Sequence, residues 1–296
     1  MNTIGFIGLG AMGGGMAANL AKSGARVLAY DLSVAALDRA RGAGCDVVDS
    51  ATAAATAEVV ITMLPAGRHV REVWRSEILP NARKDALLID CSTIDIESAR
   101  AVHQAAAAAG LAAADAPVSG GIMAADAGTL AFMVGCEDAL FARVEAALKP
   151  MAKTVIHAGT SGAGQAAKIC NNMLLGISML GVGEAFALAE KLGLAPEKFF
   201  EVASQSSGQC WSLTTYCPWP GPVPTAPSNR NYEGGFLTSL MLKDLKLAQA
   251  AAADAGTPTP LGAQAEALYA LFDNLGFGRK DFSAVLQLLR GKLSEL

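Results

Sequence analysis

The sequence is short of charge. Asp, Glu, Lys and Arg make up 17% of its 296 residues, against 52% hydrophobic. So much apolar side chain supplies one large core or two smaller ones and excludes disorder as the dominant state. Basic residues are not in excess either. Lys and Arg number 23, Asp and Glu 27, and the formal net charge of -4 leaves no electrostatic footprint for nucleic acid or anionic lipid. Histidines number three and cysteines six. The cysteines, Cys45, Cys91, Cys136, Cys170, Cys210 and Cys217, form no C-x-x-C pair and lie near no histidine at metal-ligand spacing. Neither a disulfide scaffold nor a metal site is expected, and the thiols read as reduced, in a cytoplasmic protein. Met1 to Ile7 lacks the basic flank and apolar core of a signal peptide. A long uncharged run is missing too. The stretch between Lys168 and Glu184 has 15 residues, short of the roughly 18 of a membrane span, so a buried helix is expected and no membrane association.

What is present alternates. Short apolar runs at Thr3 to Ile7, Arg26 to Tyr30, Val59 to Met63, Leu87 to Asp90, Leu111 to Asp115, Leu130 to Val134 and Thr154 to Ile156 read as strands. Helical patterns separate them, among them Gly13 to Lys22, Val34 to Arg41 and Glu97 to Ala109, the last with Thr93 or Asp95 as its N-cap. Strands alternating with helices predict an α/β fold with a doubly wound parallel sheet covered on both faces. After Gly159 to Gly162 the strand signals stop and helical patterns run to the end. Residues 1 to 162 are therefore expected to form a Rossmann-type domain, and 163 to 296 an all-α domain. One segment, Ser207 to Tyr232, holds five prolines with Trp211, Tyr216, Trp219 and Tyr232. It reads either as a rigid strap or subunit contact, or as a loop whose aromatic rings cover a substrate.

Gly8-Leu9-Gly10-Ala11-Met12-Gly13 follows the first strand and opens the first helix, the context in which G-x-G-x-x-G binds a dinucleotide. Gly8 permits the tight turn, Gly10 lets a pyrophosphate approach the backbone, and Gly13 brings helix against strand. Asp31 stands 21 residues beyond Gly10 at the end of the second strand, where a carboxylate accepts from the ribose hydroxyls and repels a 2'-phosphate. Leu32-Ser33-Val34 includes no basic residue, so NAD is expected over NADP. Met63-Leu64-Pro65 and Asp90-Cys91-Ser92-Thr93 end two further strands at the carboxyl edge, where open α/β sheets bind ligands.

Three further patterns carry chemistry. In Asp115 to Gly121, adjacent Gly120 and Gly121 can present N–H groups to a carboxylate and Ser119 can add a hydroxyl, although a plain turn has the same composition. Gly164, Lys168 and Asn172 share one face of a helix that is apolar almost all round through Ile169, Cys170, Met173, Leu174, Leu175, Ile177, Met179 and Leu180. A lysine confined there has its ammonium disfavoured, which fits it for proton transfer near neutrality, unless it snorkels out from the helix start. Asp244 falls on an apolar stripe of Leu237, Leu240, Met241, Ala248 and Ala251 and needs a partner, either Lys243 or Lys168, or else it caps a neighbouring element.

Taken together and in this order, Gly8 to Gly13, Asp115 to Gly121, Gly164 to Asn172 and Lys243-Asp244 resemble the four motifs of the β-hydroxyacid dehydrogenases, nearly end to end and with no departure in any motif. The Trp211 to Pro227 segment is similar to the 3-hydroxyisobutyrate branch of that family. The resemblance implies a Rossmann domain followed by a helical domain that builds a homodimer or homotetramer. It implies NAD-dependent oxidation of a small 3-hydroxy acid, 3-hydroxyisobutyrate to methylmalonate semialdehyde as in valine breakdown. Lys168 would be the catalytic acid and base, with Ser119, Gly120, Gly121, Asn172 and Asp244 at the substrate. Leu64, Pro65, Thr93 and Lys243 would touch the dinucleotide. Tartronate or succinate semialdehyde reductases would use the same machinery in reverse, and imine reductases usually differ at the position of Lys168. A non-catalytic dinucleotide-binding protein would lack that lysine.

Overall fold

The computed structural model describes residues 3–296, which fall into two compact units, one running to Lys168 and the other covering Ile169–Leu296. In the first unit the strands are β1 (Thr3–Ile7), β2 (Arg26–Tyr30), β3 (Asp46–Val47), β4 (Val59–Thr62), β5 (Leu87–Asp90), β6 (Ala112–Asp115), β7 (Val118–Ser119), β8 (Leu130–Gly135) and β9 (Ala152–Gly159). Between them run helices α1 (Gly13–Lys22), α2 (Val34–Gly42), α3 (Ala51–Ala55), α4 (Gly67–Val73), α5 (Ile96–Ala108), α6 (Gly121–Ala127) and α7 (Asp138–Leu148). Sheet order is β3-β2-β1-β4-β5-β6-β8-β7, with β9 beside β8. From β3 to β6 all pairings are parallel, the doubly wound arrangement. The parallel expectation fails at one margin, where β8 runs antiparallel to β6 and to the two-residue β7.

Alternate residues of the central strands supply two cores. Ile4, Phe6, Val59, Ile61, Leu87 and Ile89 enter one cluster, Ile7, Val60 and Leu88 the other, so both faces of the sheet are covered. α5 begins at Asp95, whose carboxylate accepts from the Ser98 N–H at 2.7 Å, which decides between the two expected caps. A π-helical turn at Trp74–Ile78 follows α4 and carries Trp74, whose indole Nε1 donates to the Thr62 hydroxyl at 3.2 Å.

The second unit is helical, with α8 (Ala163–Lys191) reaching into it from the first. Its other main helices are α9 (Pro196–Ser204), α10 (Trp211–Thr214), α11 (Thr238–Asp254) and α12 (Pro260–Phe272). Met179, Met241, Leu245, Tyr269, Phe272 and Phe282 form its principal core, and Val182, Phe186, Leu213 and Leu286 a second. α8 spans 29 residues and, among the described residues, is the one helix long and apolar enough to cross a bilayer by length and composition. Its all-round apolar character does not mean all-round burial. Cys170, Leu174, Gly181 and Leu188 lie on one exposed stripe, with Leu174 64% and Leu188 60% accessible. Lys168 and Asn172 lie on the opposite side of the helix. On α11, Leu240 departs from the expected buried stripe and is exposed; Thr238, Met241, Asp244, Leu245 and Ala248 form the covered face.

The aromatic segment of residues 207–232 is packed within this second unit. Trp219 stacks on Phe186 at 5.6 Å beneath the Arg290 guanidinium, 4.2 Å from its ring centroid. The Tyr216 hydroxyl donates to Asp281 at 2.8 Å and the Tyr232 hydroxyl to the Pro218 carbonyl at 2.9 Å. Trp219 is thus a packing residue of a strap. Trp211, stacked on Tyr216, remains 48% exposed.

Candidate active site

Because β1, β2, β4, β5 and β6 run parallel, their following loops share one edge of the sheet, and most of the expected site residues stand on those loops. Gly8 turns with φ +100°, and a Cβ there would come within 2.3 Å of the Met63 carbonyl oxygen. At Gly13 a Cβ would lie 2.0 Å from the Gly8 carbonyl oxygen, so only glycine lets α1 start this close to β1. Gly10 differs: nothing stands within 4 Å of the place a Cβ would take. That is the room a pyrophosphate needs against the backbone, and α1 has no side-chain cap and no acidic residue in its first turn. The turn from Gly8 to Gly13, including Leu9, Ala11 and Met12, therefore fits a dinucleotide phosphate.

Asp31 sits at the end of β2 with both oxygens engaged. Oδ2 accepts the Leu9 N–H at 2.6 Å and Oδ1 the Ser33 N–H at 2.7 Å. The carboxylate both orders the entry to α2 and holds the glycine loop. Leu32 beside it is 91% exposed and, like Ser33 and Val34, brings no positive charge.

The loops after β4 and β5 are joined through buried polar groups. Leu64 donates its N–H to the Ser92 hydroxyl at 2.8 Å, and that hydroxyl donates to Asp90 Oδ1 at 2.6 Å. The Thr62 hydroxyl also donates to Asp90 Oδ1, at 2.7 Å. Burial pushes the Asp90 carboxyl up to about 6, against the hydrogen bonds from Ser92 and Thr62 that favour its ionised form. This network orders the backbone of Leu64, Pro65 and Thr93. Sequence reasoning missed Asp90 and Ser92 as a pair; the signal available was an acid at the end of an otherwise apolar strand.

Asp115, at the end of β6, is fully buried and serves the start of α8. Its Oδ1 accepts the Gly162 N–H at 2.7 Å and its Oδ2 the Gln165 N–H at 2.9 Å, while His103 Nε2 stands 3.2 Å from Oδ1. Gln165 was also missed. Its Nε2 donates to the Ser92 carbonyl at 2.7 Å and its Oε1 accepts the Ile94 N–H at 3.1 Å. One turn further, Lys168 is 6% exposed, so the snorkelling alternative does not hold. Ser119 lies in β7, paired with Ala131, and Gly120 and Gly121 follow with φ +132° and +69°, a consecutive pair that side chains other than glycine's would strain.

In the second unit, Asp244 is 3% exposed and its main partner is Asn172, whose Nδ2 donates to Asp244 Oδ2 at 2.5 Å. Lys243 Nζ stands 3.5 Å from Asp244 Oδ1, a longer ion pair that is buried on its acidic side. The Asn172 Oδ1 accepts from the Asn171 amide at 3.0 Å, so the orientation of the Asn172 amide is fixed from both sides.

Among the described residues no group of three or more His, Cys, Asp or Glu side chains is placed to hold a metal ion. A cavity of about 560 Å³ opens at the other edge of the sheet, lined by Ile4, Val59, Arg83, Arg143 and neighbours, and none of the expected site residues borders it. Its position at the amino ends of β1 and β4 separates it from the ligand edge.

Residues 3–159 match the family described as the NAD binding domain of 6-phosphogluconate dehydrogenase. Residues 162–289 match the one described as NAD-binding of NADP-dependent 3-hydroxyisobutyrate dehydrogenase. The 3-hydroxyisobutyrate dehydrogenase of Pseudomonas aeruginosa is 50% identical over 297 residues, covering 99% of this chain and 100% of its own. The NAD-dependent L-serine dehydrogenase of the same organism is 44% identical over 291 residues, covering 97% and 98%. A solved structure of Mycobacterium tuberculosis 3-hydroxyisobutyrate dehydrogenase with L-serine superimposes with a TM-score of 0.95 at 47% identity, covering 98% of this chain and 99% of that one.

Proposed function

The chain belongs to the 3-hydroxyisobutyrate dehydrogenase family of β-hydroxyacid dehydrogenases, NAD(P)-binding oxidoreductases, and from that membership we propose that it oxidises 3-hydroxyisobutyrate to methylmalonate semialdehyde with NAD. The observation that carries the reading is the burial of Lys168 on the same helical face as Asn172. The bound nicotinamide supplies the hydride acceptor. Lys168 takes the proton of the substrate hydroxyl during oxidation and returns it to the forming alkoxide in the reverse direction. The Ser119 hydroxyl, the Gly120 and Gly121 amides and Asn172 hold the substrate carboxylate, so that the reacting carbon keeps one orientation. Asp244, as acceptor for the Asn172 amide, serves that site by aiming Asn172 and leaves the second Nδ2 hydrogen for the substrate.

On the cofactor side, Gly8 to Gly13 take the pyrophosphate, Asp31 the adenosine ribose, and Leu64, Pro65, Thr93 and Lys243 the rest of the dinucleotide. The preference for NAD rests on Asp31, already held at the glycine loop, and on the uncharged Leu32-Ser33-Val34 beside it. A second substrate of the same class is L-serine, favoured by the relatives that oxidise it or hold it. The exposed stripe of α8 supports assembly as a homodimer or homotetramer, and six unpaired cysteines suit a reducing, cytoplasmic setting.

The test is a panel of 3-hydroxyisobutyrate, 3-hydroxypropionate, L-serine, glycerate and 4-hydroxybutyrate scored by kcat/KM with NAD and with NADP. The highest value is expected for 3-hydroxyisobutyrate with NAD; a leading value for 4-hydroxybutyrate, or for any substrate with NADP, overturns the assignment. Lys168→Ala should lower kcat by about 10²-fold or more while NADH still binds. Turnover equal to the parent's would remove Lys168 from the mechanism.

A further inference from the structure

We propose that Gln165 is a positioning residue: it fastens the first turn of α8 to the Ser92 to Ile94 loop and so sets where Lys168 stands relative to the bound dinucleotide. The proposal rests on Lys168 as the proton acceptor and on Thr93 as a cofactor contact.

Gln165 is completely buried, and both ends of its side-chain amide go to one loop. Nε2 donates to the carbonyl of Ser92 at 2.7 Å, and Oε1 accepts the N–H of Ile94 at 3.1 Å. Those two backbone groups bracket Thr93. The amide therefore offers this loop the donor and acceptor that a neighbouring β-strand would offer, and the backbone of Thr93 is held between them. The helix does not need this side chain to begin. Asp115 already accepts the N–H of Gly162, just before the helix, and that of Gln165 in its first turn, and the Ala163 N–H goes to the Thr160 carbonyl. An apolar side chain of similar length would fill the same space without the desolvation of a buried amide.

The clamp continues inward. Ser92, whose carbonyl Gln165 holds, uses its hydroxyl to bind the Leu64 N–H and Asp90. One buried network thus links the loops after β4 and β5 to the helix turn just before Lys168, which follows Gln165 by three residues and so projects from an adjoining turn on the same side. A small shift of this turn moves the amine directly, and a misplacement of about 1 Å at a reacting group costs up to about 10²-fold in rate.

Two substitutions test this, with Lys168→Ala alongside. Gln165→Met removes both hydrogen bonds and keeps the length; kcat should fall between about 10- and 100-fold, while the Kd for NADH, by fluorescence titration, stays within about threefold. Gln165→Glu is read as a ratio of its kcat to the parent's across pH. A neutral carboxyl can still donate to Ser92 and accept from Ile94, whereas the ionised form has no donor. The ratio should therefore be highest at low pH and fall as pH rises. Asp90, His103 and Asp115, the titratable side chains of this network, and Lys168 are present in both proteins, so a ratio that changes with pH reports the added carboxyl and the effect of its charge on them.

Folded variants with the parent's kcat overturn the proposal, as does a Gln165→Glu ratio that is flat with pH. If Gln165→Met does not fold, the Gln165→Glu ratio decides alone; if neither folds, Gln165 is a scaffold residue and the proposal fails. Parent-like turnover in Lys168→Ala instead overturns the assignment of the base, a separate result.

Discussion

Asp90 closes β5 as a fully buried carboxyl group whose two oxygens are unequally served. Oδ1 accepts from Ser92 and Thr62, and Oδ2 has no hydrogen-bond partner among the described residues. Burial dominates and its carboxyl group is pushed up to about 6 from 3.8. A carboxyl whose folded pKa lies above its unfolded value favours the folded state while protonated, and that contribution is lost as pH rises through the folded pKa. Asp90→Asn, which stays neutral, should therefore match the parent most closely near pH 4 and gain on it by up to about 3 kcal/mol by pH 7. Urea denaturation at several pH values checks this, and a gap that does not change with pH would contradict it. Other residues are legible from the sequence alone. Asp31 and Lys168 stand out by position and by contrast with their surroundings. Gln165 and Ser92 do not, because a glutamine among alanines and a serine in a loop are ordinary until their partners, 73 residues apart in the chain, are known.

The elements that sequence located best are those with dense apolar patterns. α1 runs over the expected residues, and β1, β2 and β5 coincide with their runs. The two-residue strands β3 and β7 and the π-helical turn after α4 escaped, since two residues carry no period and a π turn has no composition of its own. The antiparallel turn of the sheet at β8 was also hidden, because strand direction depends on connections and not on local pattern. In the helical unit, the end of α8 is fastened by Glu190. Arg290 binds it through Nε at 2.9 Å and Nη2 at 2.7 Å, Lys292 adds a third bond at 3.0 Å, and Arg290 lies over Trp219 of the strap. The hydrogen bonds from Arg290 hold the Glu190 carboxyl down at about 2. Stability of this origin is present above the ordinary glutamate pKa and is lost as pH falls through about 2. A sheltered bidentate pair contributes about 1 kcal/mol. Glu190→Gln should lower the Tm by about 2–4 °C near neutrality, with the difference shrinking in acid. Calorimetry showing the same deficit at pH 7 and pH 2.5 would refute the clasp.

For the chain as a whole, composition left one large core or two smaller ones open, and the end of the strand signals put a boundary after Gly162; the two compact units divide six residues later, inside α8 at Lys168, where no loop marks it. The exposed leucines were not foreseen, because an apolar helix gives no hint of which stripe its own chain leaves uncovered. If Leu174 and Leu188 meet a second copy, Leu174→Glu combined with Leu188→Glu should reduce the mass measured by light scattering to that of one 30.2 kDa chain. A parent protein that already measures as one chain would dispose of that interface.

Cys170 lies on the same stripe and is exposed, whereas Cys45, Cys91, Cys136 and Cys217 are buried, and burial raises each of their thiols. A maleimide dye will thus meet Cys170 well before those four, and its rate of capture becomes a clock for the stripe. Fast labelling in dilute protein that slows with concentration would time the meeting of two subunits without any substitution in the chain.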